Sequence, residues 1–269
     1  MRTATVCCIT LFLLAACGHS GSSGGGNPVN DSYLASIVVS VPGAQLTDSL
    51  IYTDQKRVAR FAQYLTNGGT TNVVTCDFSF SGNSSLPDSY SYAITGSAAE
   101  IHQLIYDGQG RIIKDTCGST NFVTYYLYPG NYIICNIRFE GTPDDSHFDT
   151  LAIQNGNVAN EKVWTTDFTP WQMEADLTLG HATAANPVYK TEIAGSVGPL
   201  LYVLSSYNFG GYSDFISRGI VTKISGTGDG VPPGGIGYTP KLDAKGRVSD
   251  VTATGVGVPA GIETAFTYY

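Results

Sequence analysis

The chain has 269 residues, 42% of them hydrophobic and only 13% charged, with 14 Lys and Arg against 22 Asp and Glu for a net charge of −8. That acidic balance excludes electrostatic binding to nucleic acid or to anionic lipid, both of which need basic patches. Abundant Gly (32) and Tyr (17) beside scarce Met (2) fit a turn-rich β protein whose strands use tyrosine on both wet and dry faces.

In chain order, the first element is a leader. Arg2, the apolar run Val6 to Leu14 and the ending Leu14-Ala15-Ala16-Cys17 form a secretory signal, too short to persist as a membrane helix. Small residues before Cys17 and a glycine after it resemble the lipobox of bacterial lipoproteins. That resemblance implies cleavage after residue 16, acylation of Cys17 (palmitate among the chains) and stable anchoring by several acyl chains. Gly18-His19 lacks the acidic residue that commonly follows the lipidated Cys in proteins held at the inner membrane, which favours the outer membrane. Residues 17–32 are the lipidated Cys and a Gly/Ser tether, and 33–269 form a single β-meander domain. Cys76, Cys117 and Cys135 remain, an odd set that permits at most one disulfide. Cys76 and Cys135 alternate with apolar neighbours and read as buried free thiols, with a Cys117 bridge as the minor alternative.

Past the tether, apolar residues recur with period two through Val58–Leu65, Phe122–Tyr128, Tyr132–Phe139 and Trp171–Leu179. Such alternation with polar partners predicts antiparallel strands with one buried face, and the long helical crossovers of a parallel sheet are missing. The segment 198–218 interrupts the pattern and predicts one or two short helical turns lying across the sheet. Gly226–Gly237, rich in Gly and Pro, predicts an irregular loop. The fold class is therefore all-β: an antiparallel meander of hairpins, a strongly curved sheet or partly closed barrel, with a short helical insert.

A weak repeat punctuates the strands. Tyr106-Asp107-Gly108-Gln109-Gly110-Arg111-Ile112 and Leu242-Asp243-Ala244-Lys245-Gly246-Arg247-Val248 share the form apolar-Asp-x-x-Gly-Arg-aliphatic. The stretch Tyr52 to Val58, containing Asp54, is a degraded copy with Lys56 where the glycine belongs. The Asp accepts backbone N–H groups, the glycine supplies positive φ, and the Arg opens the return strand. Asn155-Gly156 suits a two-residue type I′ turn. Pro240, inside the strand before Asp243, predicts an edge position or a bulge.

These hairpins, with Asn186-Pro187 and its Leu/Gly-rich insert, Ser217-Arg218-Gly219-Ile220 and the ending Tyr238–Tyr269, resemble an uncharacterised family of bacterial lipoproteins of porin-like β fold. In pattern they are distantly similar to YD-type repeats. The resemblance implies an antiparallel β architecture and brings no activity, substrate or catalytic residues.

No catalytic residue or cofactor is assigned. Gly21-Ser22-Ser23-Gly24-Gly25 has the form of a nucleophile elbow but sits in the tether, and Gly255–Ala260 mimics a dinucleotide fingerprint with no helix after it. Asp145, His147 and Asp149 would share one strand face, and are weak metal candidates better explained as a solvated face. His102 and His181 read as isolated structural histidines. Trp164, Phe168 and Trp171 flank one turn and are the aromatic set suited to stacking on a sugar or a protein partner. The expected role is a lipid-anchored envelope module, not an enzyme, that binds a glycan or an envelope protein and no nucleic acid. The alternatives are an envelope hydrolase of glycan or peptide using Asp145 or Glu174, and a small outer-membrane barrel, which would need an outward apolar band.

Overall fold

The computed structural model describes residues 33–41, 43–54, 57–139, 147–165, 172–186, 198–204, 216–228, 231–256, 258 and 262–269. Among them run sixteen strands, β1 (Leu34–Val41), β2 (Ala44–Tyr52), β3 (Val58–Asn67), β4 (Thr70–Ser79), β5 (Ser89–Ile94), β6 (Glu100–Tyr106), β7 (Ile112–Cys117), β8 (Phe122–Leu127), β9 (Tyr132–Phe139), β10 (His147–Gln154), β11 (Asn157–Thr165), β12 (Gln172–Ala185), β13 (Gly219–Thr227), β14 (Ile236–Leu242), β15 (Val248–Thr254) and β16 (Glu263–Tyr268). Each pairs antiparallel with its neighbours in sequence, and β16 returns to β1, so the meander is a closed barrel rather than an open sheet. Closure removes both free edges, which an open sheet of this length would expose. At the seam Leu34 to Ser40 face Tyr268 to Glu263. Tyrosines reinforce it: the Tyr52 hydroxyl donates to Leu34 O at 3.0 Å and the Tyr269 hydroxyl to Leu50 O at 3.1 Å, across 219 residues of chain.

The turn repeat has a common geometry. Asp107 Oδ1 accepts from the backbone N–H of Gln109 and Arg111, both at 2.9 Å, while Arg111 Nε donates to Asp107 Oδ2 at 2.8 Å. Asp243 repeats every one of these contacts with Lys245 and Arg247 at the same distances. Gly110 and Gly246 take φ of +75° and +74°, and the Asn155-Gly156 pair takes +55° and +78°, as a type I′ turn requires. In the degraded copy the acceptor is Thr53, not Asp54. Arg57 N donates to Thr53 Oγ1 at 3.2 Å, and Asp54 is exposed. Counting four residues back from the arginine lands on Thr53, so the spacing to Arg rather than the nearest acid sets the turn. Pro240 pairs with Val251 just before a register shift, past the point where β13 stops pairing with β14 at Gly237.

One contiguous core draws buried or half-buried apolar residues from all sixteen strands, from Leu34 and Leu50 through Tyr126 and Leu151 to Val251 and Phe266. In a closed barrel, a cluster shared by every strand lies in the lumen. Period-two alternation then turns the other residues outward. On β6, His102 and Leu104 are buried while Ile101, Gln103 and Ile105 are exposed.

The insert forms helix α1 over 198–204, and every one of its residues is buried. A helix that is apolar and covered all round belongs inside a core. The helix α1 therefore lies across the inner face of the sheet, in the lumen, entering from the end where β12 and β13 are joined. The Asp-x-x-Gly-Arg turns sit at that same end, because each joins an even-numbered strand to the next odd one.

Candidate functional site

The outward face is mixed, with ion pairs beside exposed apolar side chains such as Ile51, Ile101, Ile105 and Leu127. Around the wall it presents Arg60 on Asp77 (β3–β4), Lys162 on Asp176 at 3.0 Å (β11–β12) and Lys241 near Asp250 at 3.5 Å (β14–β15), with many Ser and Thr between them. One outward row is richer in rings: Lys114, Tyr125, Asn136, Phe148, Trp164 and Met173 are successive cross-strand partners on β7 to β12. Lys114 Nζ lies 5.4 Å from the Tyr125 ring and the Arg138 guanidinium 5.9 Å from it. Trp164 is half-buried there, beside the exposed Met173. Phe168 and Trp171 lie outside the described residues, as do Asp145, the signal and Cys17.

The lumen holds the buried polar chemistry. Burial overturns the solvated face expected at Asp149, which is 4% exposed. The Tyr202 hydroxyl of α1 lies 3.2 Å from Asp149 Oδ2 and 3.0 Å from Glu161 Oε1. Desolvation pushes the Asp149 carboxyl up to about 8, with the nearby Glu161 charge adding to the rise and the Tyr202 hydrogen bond opposing it. Desolvation likewise raises Glu161 to about 7. One phenol carries one proton, so the two contacts together require at least one acid to keep its own proton and donate it. Two carboxyls sharing one phenol can serve glycoside hydrolysis, but both are buried beneath α1, 4% and 5% exposed. Glu174, the other acid considered for such a role, is exposed at a bulge in β12. Elsewhere in the lumen Gln63 Nε2 donates to Asp48 Oδ1 at 2.9 Å, and burial holds the Asp48 carboxyl above its ordinary range although it keeps some accessible surface.

A third cluster corrects the expectation that His102 is isolated. His102 Nδ1 sits 2.9 Å from Asp115 Oδ1 and 2.8 Å from the Tyr90 hydroxyl, which itself donates to Asp115 Oδ2 at 2.6 Å. Tyr90 stacks on the imidazole at 4.5 Å between ring centres, and Tyr92 and Phe122 meet it edge-on. Register explains the assembly. His102 on β6 pairs with Cys117 on β7, and two residues along Leu104 pairs with Asp115, so Glu100, His102, Asp115 and Cys117 all face inward. Glu100 Oε2 lies 3.9 Å from both His102 Nε2 and Cys117 Sγ. Burial opposes the Cys117 thiolate, but hydrogen bonds from Ser119 and Thr120 outweigh it and bring the thiol below its ordinary value. The arrangement was hidden in the sequence because its members come in pairs on two strands. The turn at Asp107–Arg111 is the signal that folds one pair onto the other.

His181 is a simpler case: it meets Ser217 Oγ at 3.1 Å, and burial lowers its pKa. Cys76, Cys117 and Cys135 are all buried free thiols.

No protein-family model matches this chain, and no curated protein does. Solved structures do match. A porin-like protein from Bacteroides uniformis ATCC 8492 superposes with a TM-score of 0.51 at 12% identity, covering 89% of this chain and 98% of that one. A porin-like protein from Bacteroides vulgatus ATCC 8482 follows at 0.48 and 10% identity, over 89% and 99%. The likeness is one of fold. It agrees with the porin-like β architecture that the family resemblance implies, and it carries no lipobox, repeat family or activity with it.

Proposed function

We propose that this protein is a lipid-tethered barrel that rests beside a bacterial membrane, the outer one by preference, and acts there as a binding module rather than as a pore or an enzyme. The observation that carries this reading is the direction of the wall: apolar residues and α1 fill the lumen, while the ion pairs Arg60–Asp77, Lys162–Asp176 and Lys241–Asp250 face outward. A spanning barrel reverses this order, and an outward Arg or Lys at the bilayer midplane costs about 2–4 kcal/mol each. The membrane is therefore reached through acylated Cys17 and the tether of residues 18–32. The partner is met by the outward row Tyr125, Phe148 and Trp164, whose rings stack on a sugar face while Lys114, Asn136 and Arg138 supply hydrogen bonds. Phe168 and Trp171 extend that set in sequence.

Fractionation tests the address. The Cys17→Ala protein should take up no labelled palmitate and should leave the membrane under alkaline extraction without detergent. A Cys17→Ala protein that still resists extraction would favour the spanning barrel. A glycan array probed with the wild type and with Trp164→Ala tests the row, and a sugar signal untouched by the substitution removes it from consideration.

A further inference from the structure

We propose that Glu100, His102 and Cys117 form a site for one zinc-class divalent cation at the lumen end opposite the α1 insertion, oriented by Asp115. One ligand-type atom from each residue lies within 4.8 Å of the other two. His102 is 4% exposed, and its Nε2 has no hydrogen-bond partner among the described residues. A buried imidazole nitrogen without a partner costs stability unless something occupies it. Its other nitrogen explains which lone pair is on offer. Asp115 Oδ1 at 2.9 Å fixes the proton on Nδ1, leaving the Nε2 lone pair open 3.9 Å from Glu100 Oε2. A carboxylate holding the far side of a histidine is the outer-shell arrangement that sets a metal ligand's tautomer and raises its basicity.

The alternative is a protonated His102 bridging Asp115 and Glu100. At 3.9 Å the Nε2–Glu100 contact is no hydrogen bond as it stands, and although a turn of Glu100 would make it one, that alternative leaves Cys117 without a role. A cation engages both the nitrogen and the thiol. Bonds of about 2.3 Å to sulfur and about 2.0–2.1 Å to nitrogen and oxygen place tetrahedral ligand atoms roughly 3.3–3.6 Å apart. The two 3.9 Å separations reach that range by a small turn of the Glu100 side chain, which is 35% exposed, and the histidine and thiol atoms, within 4.8 Å of each other, close on the cation by rotation of the Cys117 side chain. One thiolate, one imidazole and one carboxylate suit Zn²⁺ over the harder Mg²⁺ and Ca²⁺. Three protein ligands leave a fourth position for water.

The test is cobalt and zinc titration of the purified, chelator-treated protein. One equivalent of Co²⁺ should produce tetrahedral visible absorption with a thiolate charge-transfer band, and Zn²⁺ should displace it. Cys117→Ser should abolish that band, and Glu100→Gln, at the exposed side of the site, should weaken Zn²⁺ about tenfold without disturbing the β spectrum. Asp115→Asn, acting only through His102, should weaken it about 10–100-fold. Folded wild-type protein that gives no cobalt spectrum overturns the site. So does metal binding of unchanged strength in both Cys117→Ser and Glu100→Gln.

Discussion

Thr150 and Leu151 are adjacent on β10, yet they meet opposite demands. Thr150 looks out between Ile134 and Lys162, whereas Leu151 looks in between Ile133 and Glu161 and is fully buried. The outward surface carries charged pairs such as Arg60–Asp77 and Lys162–Asp176. In the lumen an unpartnered polar group is costly, and the acids there come with a tyrosine, a glutamine or a histidine, although the Tyr126 hydroxyl and Thr124 Oγ1 have no hydrogen-bond partner among the described residues. The contrast teaches that this barrel is stabilised like a globular core wrapped in one sheet. Leu151→Asp should break it outright: truncating a buried leucine costs about 2–5 kcal/mol, and an unpaired carboxylate adds to that. We expect no cooperative melting transition. Thr150→Asp should shift stability by about 0.5 kcal/mol or less. Equal losses at the two positions, read by urea denaturation, would mean that both faces are buried and that the outward face meets lipid or a partner.

The acids around α1 sharpen the contrast through pH. Asp149 rises from 3.8 to about 8 and Glu161 from 4.5 to about 7, so the folded protein holds protons that the unfolded chain releases between those values. Their stabilisation is complete below about pH 4 and is lost as pH climbs through 7 to 8. Each unit of displacement is worth about 1.4 kcal/mol, so the urea midpoint should be clearly higher at pH 5 than at pH 9. Asp149→Asn with Glu161→Gln should flatten the profile. A flat wild-type profile would show that both carboxyls are solvated in solution. A smaller effect belongs to Tyr202→Phe, which removes the shared phenol and leaves the acids short of a partner. It should cost about 1–3 kcal/mol.

The sequence legibly marked the local parts of this molecule and not the distant ones. Asp107 and Asp243 announce their turns within five residues, and the break in alternation after Gly198 announces the helix. Closure is another matter, since nothing near Leu34 or Tyr268 says that they meet. The side of each strand that faces inward also depends on closure, so Asp149 read as solvated although it is buried. His102 looked solitary because Cys117 and Asp115 become its neighbours only through the register of β6 on β7. Trp164 is visible as a ring near a turn, while its place in a row with Tyr125 and Phe148 needs the pairing of four strands.

The smallest expected effect compares the turns themselves. In the two full copies the Asp carboxylate takes the backbone N–H of the Arg with one oxygen and its Nε with the other, and the Arg lies over a ring, Arg111 on Tyr128 at 4.4 Å and Arg247 on Tyr268 at 4.1 Å. Arg57 keeps the ring, Phe80 at 4.4 Å, but its acceptor is a threonine with one oxygen. The consequence is visible in the side chain: Arg57 Nε is buried with no hydrogen-bond partner among the described residues. Thr53→Asp supplies the missing oxygen and should raise stability, by less than about 1 kcal/mol because the turn is at the surface. Asp107→Thr should lower the melting temperature by undoing the same contact. Both shifts should shrink in high salt if charge pairing carries them, and persist if the backbone N–H contact does. A Thr53→Asp protein no more stable than wild type at any salt would show that Arg57 already finds its partner in Ser84 O, to which its Nη1 donates.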